Sequence, residues 1–258
     1  MSCPPEFIDL AHRLADAAGE VIKPLFRNKL DIISKNDMSP VTIADRNAEL
    51  VMRELIEEAF PDHGIFGEEH GQVRTDAEYV WVLDPIDGTH SFISGLPTFA
   101  ILIGLTRNGM PVMGIMDQPI SGERWVGANG KTEFNGKPIQ SNADVTSISD
   151  SSLFSWGIEL LGSERGANYK NLMNAVSRKR FGYDSYAYGS LALGFVDIVA
   201  DFDMKPFDYC ALVPIIENAG GVISDWDGNA LTLNTPGYVL ASANPTLHKQ
   251  ALKLLSEK

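Results

Sequence analysis

The segment Trp81-Val82-Leu83-Asp84-Pro85-Ile86-Asp87-Gly88-Thr89 carries the densest chemistry in the sequence. An apolar run ends in two carboxylates, and a glycine and a hydroxyl follow at once. In α/β proteins, ligand sites gather at such strand ends. Pro85 stiffens the turn, so that Asp84, Asp87 and the Ile86 carbonyl can converge on one point. A donor set made only of oxygen suits a hard cation, Mg²⁺ above all. Gly88 lets backbone amides approach an anion closely. Three other stretches add carboxylates: Gly67-Glu68-Glu69 after Ile65-Phe66, Ser39-Pro40-Val41-Thr42-Ile43-Ala44-Asp45 at the mouth of a helix, and Lys205-Pro206-Phe207-Asp208-Tyr209 opening another. Any one of these acids alone reads as a solvated group or a helix cap. Taken together they point to a metal site.

Two better-known acidic motifs do not fit. A calcium EF-hand needs acids at alternate loop positions and a late glutamate, whereas here Pro85 and Gly95 stand in those places. Phosphatases of the haloacid dehalogenase type use Asp-x-Asp-Gly-Thr with the first aspartate as nucleophile, and that position is Pro85. A covalent aspartyl-phosphate route is therefore removed at this motif. No Gly-x-Ser-x-Gly elbow supports a serine hydrolase. The five histidines, at 12, 63, 70, 90 and 248, form no His-x-x-x-His metal pair, and only His90 lies near the cluster. Trp81, Trp125, Trp156 and Trp226 are scattered and read as packing residues.

The elements that must position these groups follow from periodicity. Phe7, Leu10, Ala11, Leu14, Ala18 and Ile22 recur at helical spacing and predict a first helix stopped near Pro24. Ala48, Val51, Met52, Leu55 and Ile56 predict a second over 44–60, closed by Pro61. Strands are expected at 79–83, 99–106, 111–116 and 124–127, with Asn135-Gly136 as a hairpin turn. The Ser-, Asp- and Asn-rich stretch 141–152 reads as a connection. Beyond it, strands at 152–155, 197–202, 222–224 and 239–242 alternate with helices at 163–178, 190–195, 208–219 and 245–256. Pro214 should kink the third of these helices, because it leaves the Cys210 carbonyl without its amide. The expected class is α/β, with an α+β first half (1–145, most of the acidic cluster) and an α/β second half (146–258, Asp208 and the substrate side).

Bulk properties restrict partners. The formal charge of -13 and the absence of a basic patch argue against nucleic acid. Cys3 and Cys210 cannot build a disulfide framework or a thiolate metal site. Residues 1–6 have no signal-peptide character, and no apolar run reaches a membrane span. A cytoplasmic location and no membrane partner are the expectation.

The combination of Pro40-Val41-Thr42 through Asp45, Gly67-Glu68-Glu69, Asp84-Pro85-Ile86-Asp87-Gly88-Thr89 and Asp208 with Gly220-Gly221 resembles the inositol monophosphatase family. The likeness runs over nearly the whole chain. Ser91 to Pro97, Arg180 to Gly189 and Asp208 to Glu217 look most like its histidinol-phosphatase branch. The resemblance implies a layered α/β/α/β/α sandwich, a lithium-sensitive phosphatase with two or three Mg²⁺ ions per chain, and a homodimer. It implies Glu68, Asp84, the Ile86 carbonyl, Asp87 and Asp208 as metal ligands, and Asp45, Glu68 and Thr89 as the catalytic group. Within that group, Asp45 would accept a hydrogen bond from Thr89, which would take a proton from the attacking water. Phe207 departs from the tryptophan common beside the last aspartate in inositol-type members, and His90 from the basic residue expected after Gly-Thr in the histidinol branch.

The expected activity is hydrolysis of a phosphomonoester by metal-activated water, with L-histidinol phosphate as the substrate. Gly88 and Thr89 amides would cradle the phosphate, with Asp208 nearby. Asp201 and Asp184 would bind a leaving-group ammonium by charge-assisted hydrogen bonds, with Asp203 a close competitor. Inositol 1-phosphate, or a sugar or nucleotide phosphate, is the alternative substrate. A non-catalytic Mg²⁺- and phosphate-binding protein is the alternative class.

Overall fold

Proline placement and apolar spacing delimit the first helix, α1 (Pro5–Ile22), with a proline in its first turn and Phe7, Leu10, Leu14, Ala18 and Ile22 buried along one face. In this computed structural model, residues 3–28, 33–34, 40–41, 43–235 and 237–256 are described; Ser39 and Thr42 lie outside them. After α1 come β1 (Ile33–Ser34), β2 (Pro40–Val41), α2 (Ile43–Ala59), β3 (Gly64–Gly67), β4 (Gly71–Val73), β5 (Tyr79–Asp87), α3 (Thr89–Ile93), β6 (Ala100–Arg107), β7 (Met110–Gln118), β8 (Glu123–Ala128), β9 (Lys131–Phe134) and β10 (Lys137–Ile139). The second half holds β11 (Ser152–Ser155), α4 (Gly166–Ala175), β12 (Arg178–Phe181), α5 (Tyr186–Ala192), β13 (Ile198–Asp201), α6 (Pro206–Tyr209), α7 (Leu212–Asn218), β14 (Val222–Asp225), β15 (Val239–Ser242) and α8 (Pro245–Ser256).

Two sheets stack between helices. The larger has the order β10-β9-β8-β7-β6-β5-β3-β4 and is antiparallel except where β3 runs parallel to β5. The smaller, β12-β11-β13-β15-β14, is parallel on one side of β13 and antiparallel on the other. Strand side chains alternate between faces. Trp81, Leu83, Ile101 and Ile103 face α1 and α2. Val82, Leu102, Met116 and Trp125 face α5, α7 and the inner side of the smaller sheet. On the outer side of that sheet, Leu153, Ile198 and Leu240 pack with Tyr169 and Leu172 of α4 and Leu247 and Ala251 of α8. The result is the expected five-layer α/β/α/β/α sandwich. Asn135 and Gly136 both take left-handed backbone at the β9–β10 turn, as the hairpin expectation required. No helix among the described residues is long and apolar enough to cross a membrane.

Three expected helices differ. Instead of 163–178, α4 stops at Ala175, and Arg178 opens the edge strand β12. In place of 190–195, α5 starts at Tyr186, because aromatic residues fill the turn facing the large sheet. The run 208–219 breaks fully at Cys210-Ala211 into α6 and α7, a stronger effect of Pro214 than a kink.

That break sits on a row of glycines. Gly104, Gly114 and Gly127 are paired directly across β6, β7 and β8. A Cβ at Gly114 would overlap the Ala211 carbonyl, and one at Gly127 the backbone at Ile215. The missing side chains let the α6–α7 junction lie against the sheet itself, which brings Asp208 toward the end of β5. Gly114→Ala should therefore cost about 3 kcal/mol, a fall in Tm on the order of 10 °C, and lose activity with it. Gly162→Ala, where a methyl meets nothing within 4 Å, should change neither. Calorimetry with a phosphate-release assay checks both, and an unchanged Tm for Gly114→Ala would count against the packing role of the row.

Candidate active site

The end of β5 is shaped by Pro85, which has no N–H to give to the ladder. Asp84 pairs with Leu102 and Asp87 with Ala100, so β5 uses three steps where β6 uses two. This bulge turns the chain inward and aims both carboxylates and the Ile86 carbonyl to one side. Ile86 N–H donates to Asp84 Oδ1 at 3.0 Å, which fixes the turn. Gly88 follows with φ 82°, and its Cβ would strike the Asp184 carboxylate at 2.7 Å. Glycine is needed there both for its backbone and for that approach.

Glu68 lies just past β3, and its loop is pinned by a residue that sequence reasoning missed. Glu49 of α2, fully buried, accepts from the Glu69 N–H at 2.6 Å and the His70 N–H at 3.1 Å. Arg53, one helical turn on, donates to Glu49 at 2.6 Å and also reaches the Gly71 carbonyl. The i,i+4 Glu–Arg spacing was a visible signal, but of a helix pair and not of a bracket holding a loop. Asp45 is buried in the first turn of α2. Asp208, in α6, accepts the Lys205 N–H at 2.6 Å.

These elements bring the carboxylates into two sets that share one member. Ligand oxygens of Asp45, Glu68 and Asp84 lie within 4.8 Å of one another, and so do those of Asp84, Asp87 and Asp208. Burial first, then the charges of Glu68, Asp87, Asp208 and Asp45, push the Asp84 carboxyl well above its ordinary value. Burial and then Asp184 raise Asp87 to about 7, while burial and Asp87 raise Asp208. Such crowding of oxygen donors with so little positive charge fits divalent cations. Glu68, Asp84 and the Ile86 carbonyl could hold one ion, and Asp84, Asp87 and Asp208 a second. Among the described groupings, Asp45 joins the first set, not only the catalytic pair expected for it.

All of these but Asp45 line a cavity of about 350 Å³, whose opposite wall comes from the second half of the chain. Asp184 sits in left-handed backbone, φ 42°, and accepts from the Ser91 hydroxyl at 2.5 Å. The next amide, Ser185 N–H, donates to Asp87 Oδ2 at 2.8 Å, tying this turn to the end of β5. Trp156, Asp203 and His90 also face the cavity, so Trp156 is not the plain packing residue that its sequence context suggested.

Two expected contacts differ. The Thr89 hydroxyl donates to the Ile86 carbonyl at 3.2 Å and not to Asp45, because that carbonyl is turned toward it at the start of α3. Asp201 lines the cavity but is only 2% exposed, and its carboxylate is engaged internally. It accepts from Ser155 Oγ, the Trp156 N–H and the Tyr188 hydroxyl, each at 2.9 Å. Burial lifts it to about 6 against the pull of those donors. Asp203, by contrast, is exposed and pairs with Lys205 at 2.6 Å.

The same fold recurs in known proteins. The chloroplastic bifunctional phosphatase IMPL2 of Arabidopsis thaliana is 45% identical over 259 residues, covering 96% of this chain and 75% of that protein. A histidinol-phosphatase of Chlorobaculum parvum is 35% identical over 91% of this chain and 92% of its own. A solved inositol monophosphatase from Zymomonas mobilis is 41% identical, with TM-score 0.91 over 100% of both chains. The model of the inositol monophosphatase family matches residues 4–258. With its carboxylates gathered at the end of β5, the chain belongs to the inositol monophosphatase family, whose members are phosphoric monoester hydrolases.

Proposed function

We propose that the chain is a Mg²⁺-dependent phosphatase that hydrolyses L-histidinol phosphate to L-histidinol and phosphate. The observation that carries the metal dependence is the pair of carboxylate sets sharing buried Asp84. A phosphate dianion would be repelled from a cavity lined by Glu68, Asp84, Asp87 and Asp208 unless cations were held there first. When bound, the ions supply charge to neutralise the phosphoryl oxygens and lower the pKa of a nearby water. The chain's own residues do the rest. The amides of Gly88 and Thr89 stand in the first turn of α3, where helix geometry offers them no intrahelical acceptor, and receive phosphoryl oxygens. The Thr89 hydroxyl donates to the Ile86 carbonyl at 3.2 Å. Were that carbonyl to hold an ion, the hydroxyl would be free to turn to Asp45, passing its own proton to that carboxylate as it accepts one from the attacking water.

Support for the substrate comes from the opposite wall. Asp184 and Asp203 face the cavity there, with Lys205 and His90 as the counter-charges. An ammonium-bearing leaving group suits that wall better than a neutral polyol. The relatives at 34–35% identity named histidinol-phosphatase support the same choice. Inositol 1-phosphate is the second reading, favoured by the name of the Zymomonas mobilis structure.

Four outcomes are expected. Mg²⁺ at a hundred times its Kd should stabilise the protein by about 2.7 kcal/mol, read as a rise in Tm. Asp84→Asn should abolish that rise while leaving the metal-free protein at least as stable, because the most crowded charge is gone. A Tm indifferent to Mg²⁺ would remove the metal reading. Thr89→Ala should lower kcat by about 10²–10⁴ with KM little changed, and near-normal turnover would defeat its role. With phosphate release measured at equal concentrations, histidinol phosphate should exceed inositol 1-phosphate by at least about tenfold in kcat/KM, on the order of one charge-assisted contact. The reverse ranking would assign the inositol substrate.

A further inference from the structure

The wall opposite the metal ligands contains an aromatic surface that neither the fold nor the phosphate chemistry requires. Trp156 follows β11, and it is the one tryptophan with solvent access: it is 39% exposed, while Trp81, Trp125 and Trp226 are at most 1% exposed. A large indole left open at the edge of a polar cavity calls for an explanation. Its surroundings hold it rigid. The Trp156 N–H is bound by Asp201 at 2.9 Å, and the indole N–H donates to the Phe202 carbonyl at 3.4 Å. The Phe202 ring stacks on the indole, with centroids 5.3 Å apart and planes inclined by 17°. Both rings line the cavity that holds Asp84, Asp87 and Asp208. The adjoining Asp203 carboxylate is exposed.

We propose that Trp156, backed by Phe202, is the stacking surface that selects a planar aromatic leaving group. The inference deepens the substrate reading above and rests on it in naming an imidazole ring. A rigid, pre-oriented ring loses little freedom when a second ring lies on it. Stacking favours a flat π system over a puckered polyol ring, and a positive charge on the bound ring or beside it adds a cation–π attraction. The phosphate end of the molecule is held elsewhere, so the shelf acts on the leaving group alone.

The test separates recognition of the ring from catalysis. Trp156→Ala should raise KM for histidinol phosphate about tenfold, the weight of one stacked and partly charged ring. Its kcat/KM for glycerol 2-phosphate should stay within about twofold, since that substrate has no ring to stack. Trp156→Phe should recover most of the loss. Independently of turnover, L-histidinol should quench the emission of the single accessible indole, and Trp156→Phe should remove that quench. Equal losses on both phosphates, or no loss on histidinol phosphate, would overturn the proposal. If the native enzyme releases no phosphate from histidinol phosphate, the substrate proposal falls by itself. The shelf is then judged on phenyl phosphate against glycerol 2-phosphate: a loss confined to phenyl phosphate upholds it, and an equal loss overturns it.

Discussion

Mutual repulsion among five carboxylates is the constraint that the rest of the structure has to satisfy. Asp45, Glu68, Asp84, Asp87 and Asp208 are driven together from four separate stretches of chain. Asp87 is raised from 3.8 to about 7 by burial and by its acidic neighbours. At roughly 1.4 kcal/mol per pKa unit, such a shift costs the folded state on the order of a few kcal/mol. The sign follows from linkage: the cost is full above the raised value near 7 and vanishes below the ordinary 3.8, where the carboxyl is protonated in both states. At neutral pH the protein is left with a choice between that penalty and binding cations. A cation bound among these carboxylates would relieve that penalty, so its binding would be coupled to folding.

What holds the acids against this force is backbone. Asp84 and Asp87 are fixed by a bulge in a strand paired on both sides. Glu68 is held through its loop, whose amides are gathered by the buried Glu49 carboxylate. Asp208 is held by the seat of α6 and α7 on the glycine row of β6, β7 and β8. Each device acts on the main chain, so none requires the carboxylates to favour one another. Single hydrogen-bonded side chains could not resist repulsion of this kind alone, because each contributes only about 1 kcal/mol net.

The sequence was legible where a feature is local and illegible where it depends on register. Asp84, Ile86 and Asp87 lie in one short segment, and the type of site followed from donor chemistry alone. Most helices and strands followed from apolar periodicity, the five-layer order from the family resemblance, and Asn135-Gly136 from turn chemistry. Gly104, Gly114 and Gly127 look like three unrelated strand glycines until the strands are paired, and only then do they form a seat. Glu49 looks like a helix-surface acid because its partners, the Glu69 and His70 amides, arrive from a distant loop. The Thr89 hydroxyl has two acceptors within its reach in the sequence reading, Asp45 and the Ile86 carbonyl, and spacing alone cannot rank them; here it donates to Ile86. Trp156 was passed over since nothing beside it in the sequence indicates a cavity.

Asp201 shows how the substrate side differs in kind from the metal side. In the acidic cluster, the carboxylates of Glu68, Asp84, Asp87 and Asp208 face the cavity. Asp201 also borders the cavity, yet it serves the wall behind it, accepting from Ser155, Trp156 and Tyr188 at once. Burial pushes it up to about 6, and these three donors pull it down. The Trp156 N–H and the Tyr188 hydroxyl are thus held by a carboxyl that faces the wall rather than the open cavity. The acidic cluster is positioned by backbone, and the opposite wall by the buried Asp201 carboxyl and its three donors, so the two walls rest on different physical supports.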